Sequence, residues 1–182
     1  MPNRSLWKTV VVVGLACVGI ILAVGAWLWW QFFGPLPGDA ALRARFSDHR
    51  AELDSLAAMA CADSQLVGTG RSPTGFSVFV RDTSAFNRRL TESELATSGR
   101  SAYGRLLGRA GLPSLSRQRD AKVVRFVVKS NQTRLKGILY SEKPVGPLVS
   151  SLDGRERAIV ERTGSAYVAL APRWFLFLEP GD

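Results

Sequence analysis

From Thr9 to Phe33 the chain reads TVVVVGLACVGIILAVGAWLWWQFF, 25 residues without a charge. As a helix, such a run is about 37 Å long at ~1.5 Å per residue, enough to cross a hydrocarbon core of ~30 Å with some tilt. A cleaved signal peptide has a shorter apolar region, ~7–15 residues, and a small-residue cleavage site before polar sequence. The nearest candidate here, Val24-Gly25-Ala26, leaves WLWWQFF at the new terminus. A lipoprotein reading of Cys17 fails at Gly14, where a branched apolar residue is needed. The expectation is an uncleaved anchor over residues 9–33, with a signal peptide or a buried soluble helix as the alternatives.

The flanks fit an anchor. Trp27, Trp29, Trp30, Phe32 and Phe33 crowd its C-terminal end, where aromatic rings settle at the headgroup layer as interface anchors. GPLPG, residues 34–38, then breaks the helix, because Pro35 and Pro37 cannot continue it. Gly19 and Ala23 form one small-xxx-small pair, which in so Gly/Ala-rich a span is weak support for helix pairing. Arg4 and Lys8 precede the span, and no basic residue follows until Arg43, so the positive-inside rule places residues 1–8 in the cytoplasm. Arg43, Arg45 and Arg50 pull the other way from further off. The resulting expectation is a single-pass membrane protein with a short cytoplasmic N-terminus and residues 39–182 outside the cytoplasm.

That segment is long enough for one compact α+β domain with its own core. Leu42, Phe46, His49, Leu53, Leu56 and Ala60 recur at helical spacing and predict one helix over 39–62, with Asp39 as its cap. QLVGTGR and GFSVFVR predict a hairpin turning at Gly70, Pro73 and Gly75. Thr91 and Glu94 form a T-x-x-E capping box opening a second helix through Tyr103, Leu106 and Leu107 to about Gly111. AKVVRFVVK and RLKGILY flank the turn SNQT, and YVALA and WFLFLE close the chain after a short strand RAIVE. Short turns between successive strands require an antiparallel sheet, here beside two main helices.

The chemistry-bearing motifs are thin. GRSPTGFS has the glycine spacing of a phosphate-binding loop, but Phe76 stands where the lysine belongs and no helix follows. The one histidine, His49, sits on the apolar helical stripe and reads as packed rather than catalytic. Glu92 and Glu94 read as capping residues, Asp153 as a turn residue before Gly154, and Asn131 as a turn residue rather than a glycosylation acceptor. Cys17 and Cys61 are the two cysteines; Cys61, alone in the domain, reads as a small buried hydrophobe. No metal-ligand spacing, cofactor motif or catalytic constellation is read, and the expectation is a protein that is not an enzyme.

Charge is the strongest remaining signal. The chain carries +9, of which Arg4 and Lys8 supply two, leaving +7 on the domain. Arg100, Arg105, Arg109, Arg117, Arg119, Lys122, Arg125, Lys129, Arg134 and Lys136 face a single acid, Asp120, within their stretch. They form the candidate binding patch, for anionic lipid or envelope polymer or for an acidic protein partner. Nucleic acid fits poorly, because few aromatics accompany the charges.

RSAYGRLLGRAGL, KGILY, PLVSSLD and RWFLFLE resemble a family of single-pass envelope proteins of Gram-negative bacteria, with an R-x-x-Y-x-x-L-L helix, a K-G-x-x-Y strand and a closing Trp-aromatic strand. The matching positions are Arg100, Tyr103, Leu106, Leu107, Lys136, Gly137, Tyr140 and Trp174. The resemblance implies this fold, no activity, and an envelope location: a bacterial inner (plasma) membrane, with residues 39–182 as a periplasmic domain. Two function classes stand: a non-enzymatic envelope binding protein, such as an assembly component or a toxin-inhibiting immunity protein, and an enzyme acting on an envelope polymer. A cytoplasm-facing anchored binding domain is the variant that a reversed orientation gives.

Overall fold

The computed structural model describes residues 4–72, 75–81, 87–118, 122–131, 133–154 and 156–181. It divides into two compact units, Met1–Pro35 and Leu36–Asp182. The first is helix α1, Arg4–Phe33. Its stretch Val13–Trp30 has a mean hydropathy of 2.1, is not buried anywhere, and is long and apolar enough to cross a membrane or to serve as a signal sequence.

The second unit is α+β. Its helices are α2 (Asp39–Asp48), α3 (Arg50–Ala62), α4 (Glu92–Thr97), α5 (Ser101–Arg109) and α6 (Glu156–Thr163). Its strands are β1 (Leu66–Ser72), β2 (Gly75–Arg81), β3 (Asn87–Arg89), β4 (Ser114–Gln118), β5 (Val123–Asn131), β6 (Arg134–Ser141), β7 (Ala166–Ala171) and β8 (Trp174–Pro180). All eight lie in one antiparallel sheet, in the order β3-β2-β1-β4-β5-β6-β8-β7.

The sheet buries most of its apolar side chains on the face that carries α2, α3 and α5. Val78, Leu115, Val124, Phe126, Ile138, Trp174, Leu176 and Leu178 meet Leu42, Phe46, Leu53, Leu56, Tyr103 and Leu107 there. Trp174 is the hub, with the rings of Phe46, Phe126 and Tyr140 at 5.3, 5.8 and 5.2 Å. The opposite face holds a smaller cluster of Val123, Leu139 and Phe177. Strand alternation produces both clusters, since successive residues of β5, β6 and β8 point to opposite faces.

Several expectations change in detail. The helix over 39–62 is two helices that break at His49, where φ is −120° and ψ is 28°. The break turns Arg50 back over the Phe46 and Trp174 rings, 4.6 and 5.1 Å from their centroids. His49 is therefore half-exposed at a joint rather than packed on the stripe. The Thr91–Glu94 capping box forms, but its helix stops at Thr97, and Gly99, with φ of 69°, starts a new turn into α5. RAIVE lies in helix α6 and not in a strand. The strands β3 and β4, too short and polar to show a clear alternation, complete a larger sheet than the sequence predicts. In the first hairpin Ser72 pairs with Gly75, so Gly70 sits within β1 rather than in the turn; Pro73 lies outside the described residues.

Candidate functional site

Asp39 stands at the entry to the domain, and its side chain reaches across the fold. Gly38, not Asp39, is the N-cap of α2. The Asp39 carboxylate instead accepts hydrogen bonds from Ser151 Oγ (2.9 Å) and from the Leu152 backbone N–H (2.8 Å). Its own backbone N–H donates to both Asp153 oxygens, at 3.0 and 2.9 Å. Between the two carboxylates lies Lys136 of β6, fully buried, with Nζ 3.0 Å from Asp39 and 2.7 Å from Asp153. The Asp39 contact is a close approach of charges without an aligned hydrogen bond at Oδ1. Burial pushes the Asp153 carboxyl up, but hydrogen bonds from Lys136 and from the Asp39 N–H outweigh it and hold it below the usual aspartate value. One cation between two carboxylates, each with further donors, is a structural lock.

The remaining predicted patch residues separate into groups. Arg100 is tied to Asp63 through two nitrogens, at 2.7 and 2.8 Å. The Arg100 hydrogen bond is the main reason that Asp63 titrates below its usual range. The two residues border an open cleft of about 480 Å³ floored by Met59 and Tyr103. Lys122 pairs with Glu142 at 2.9 Å, and Arg117 donates to the Ser64 carbonyl at 3.2 Å. Arg125 lies 2.9 Å from Glu179, which also accepts from the Tyr167 hydroxyl at 3.0 Å. By strand alternation these three sit on the sheet face away from α2, α3 and α5. Lys129 and Arg134 are half-buried near the β5–β6 turn, and Arg119 lies outside the described residues.

Arg105 and Arg109 are different. One helical turn apart on α5, both are exposed, and the structure adds two partners from distant sequence. A Cβ placed on Gly108 would lie 2.9 Å from an Arg71 guanidinium nitrogen, so Arg71 of β1 rests its charge on α5 through the gap that Gly108 leaves. Gly104, one turn earlier, leaves the matching gap for the Phe76 ring. Arg45 of α2 donates to the Gly111 carbonyl at 3.0 Å, just past the end of α5. The Arg71 backbone N–H bonds Pro113 in the same segment. Among the described residues, no carboxylate lies within 4 Å of Arg45, Arg71, Arg105 or Arg109. The four arginines thus lie along α5: Arg45 reaches Gly111 past its C-terminal end, Arg71 reaches Gly108, Arg109 stands in the last turn, and Arg105 turns back to Ser101 Oγ at 3.4 Å. The helix dipole at the C-terminal end offsets only about half a unit charge.

Arg45 and Arg71 fall outside the basic stretch from Arg100 to Lys136, and the glycine pair Gly104 and Gly108 was the only local hint of a neighbour lying against α5. Lys136 is enclosed and takes no part in a surface. Trp27, Trp29 and Trp30 are exposed on α1, while the side chains of Phe32 and Phe33 are outside the described residues. Cys61 is half-buried, and burial pushes its thiol up, away from the reactive thiolate. Among the described residues no group of three His, Cys, Asp or Glu side chains is placed to hold a metal ion.

The class defined by these features is an α+β domain with an eight-stranded antiparallel sheet, preceded by one apolar helix. Comparison with family models, with curated proteins and with solved structures finds no match.

Proposed function

We propose that this chain is a single-pass inner-membrane protein that holds a basic, non-catalytic binding domain in the periplasm, for an envelope protein or an anionic envelope component. The observation that carries the reading is the set of arginines along α5, four exposed or half-exposed cations with no carboxylate within 4 Å among the described residues. Unneutralised charge of one sign is a recognition surface for the other sign. The anchor rests on the length and hydropathy of Val13–Trp30, and the orientation on Arg4 and Lys8.

An enzyme acting on an envelope polymer needs carboxylates free to exchange protons. Asp39, Asp63, Asp153 and Glu179 each already face a cation at 3.0 Å or less, which favours binding over catalysis. Reporters fused after Asp182, one active only outside the cytoplasm and one only inside, test the reading. An active external reporter on a full-length, membrane-retained product is expected. A released, shortened product would make α1 a signal peptide. Activity of the internal reporter would reverse the orientation and direct the search to cytoplasmic partners.

A further inference from the structure

We infer that the cluster of Arg45, Arg71, Arg105 and Arg109 docks the phosphate groups of anionic phospholipid headgroups; the inference rests on the anchored reading above. All four cations are arginines, whose planar forks bind phosphate and carboxylate oxygens alike, two at a time. Two features then favour lipid over an acidic protein. The first is the lack, among the described residues, of an apolar centre. Protein interfaces are built around buried aromatic or aliphatic anchors. The solvent side of α5 instead presents Ser101, Arg105 and Arg109. The exposed large apolar side chains described in this domain, Phe79 and Leu148, belong to β2 and to the segment before β7. Charge without a hydrophobic centre suits a headgroup layer, which is all charge and water at its surface.

The second feature is affinity. A tethered domain meets lipid at an effective concentration set by its linker, so weak contacts suffice. Each basic group near an anionic surface adds about fivefold. The four together exceed what the negative end of α5 subtracts.

The test uses the full chain in nanodiscs of phosphatidylcholine alone or with phosphatidylglycerol, followed by hydrogen–deuterium exchange of α5. Exchange is expected to slow about fivefold or more in the anionic discs, the factor that one basic group supplies. Replacing Arg71, Arg105 and Arg109 by Ala should remove the effect. Replacing Arg81, Arg89 and Arg162, which lowers net charge equally, should preserve it. Equal exchange in both discs overturns the inference, as does equal loss in the two triple variants. Inorganic phosphate that protects α5 in neutral discs would point to a free oxyanion site and overturn the lipid assignment. Protection that appears only with an added acidic protein would overturn it also. A chain that inserts but shows no lipid dependence sinks this inference alone. A chain that fails to enter discs sinks the anchored reading with it.

Discussion

Lys136 shows how a residue's surroundings override its type. Its ammonium is fully buried, and among the described residues Asp39 and Asp153 compensate it. Removing one member of a buried ion pair strands the other's charge, at a typical cost of about 3–5 kcal/mol. Lys136→Met should therefore destabilise the domain by about 3 kcal/mol, the lower end, because Asp153 is partly solvated. Asp153→Asn, at the wetter carboxylate, should cost under half of that; chemical denaturation of both variants ranks them, and equal small losses would refute the lock. Acid should act through the same groups. Asp63 and Asp153 both titrate below the ordinary aspartate value of 3.8, so each contributes stability above that value and loses it as pH falls through its lowered folded value. Thermal stability should hold to about pH 4 and decline below it. In Arg100→Leu the Asp63 part of that decline should shrink, as melting curves against pH would reveal. None of the lock was legible in sequence. Asp39 has the pattern of a cap, Asp153 of a turn residue and Lys136 of a surface cation, and Asp39 and Asp153 meet across 114 positions.

Glycine placement separates elements that tolerate change from elements that do not. A Cβ at Gly137 in β6 would collide with the Phe126 carbonyl oxygen and lie 2.9 Å from the Phe177 ring, and backbone cannot step aside. At Gly108 the obstacle is the far end of the Arg71 side chain, 2.9 Å away. Gly108→Ala should thus leave stability level or raise it by up to ~1 kcal/mol through helix propensity, while displacing Arg71. Gly137→Ala should instead destabilise by about 1–3 kcal/mol or more, or prevent folding. Urea midpoints of the two variants give the comparison, and a Gly137→Ala protein as stable as the parent would contradict the packing. The strongly patterned elements were legible: GFSVFVR is β2, RLKGILY lies in β6 and WFLFLE in β8, because each alternates or runs apolar at strand length. SLSRQ and NRR were not, since a strand of three to five mostly polar residues carries no period, and pairing with β1, β2 and β5 decides it. RAIVE went to a helix against its β-branched Ile159 and Val160, by tertiary context on β7 and β8.

For the molecule as a whole, the division at Pro35 and Leu36 has a consequence for where the chain can be cut. Residues 36–182 contain the buried apolar side chains of both sheet faces and the described partners of Lys136, so this unit holds its own core. A protein beginning at Leu36 should unfold cooperatively, with a melting temperature within a few degrees of the full chain. One beginning at Ala40 loses four further residues, among which Leu36 is half-buried against the core. It also loses Asp39, which supplies a carboxylate to Lys136, an acceptor to Ser151 and Leu152, and a backbone donor to Asp153. A steep drop between these two starting points, by about 10 °C or more for a loss near 3 kcal/mol, locates the lower boundary of the fold at Asp39. A shallow, even decline along the truncation series would instead mean that the domain's first helix contributes by area alone, and that the charges at Lys136 are incidental to it.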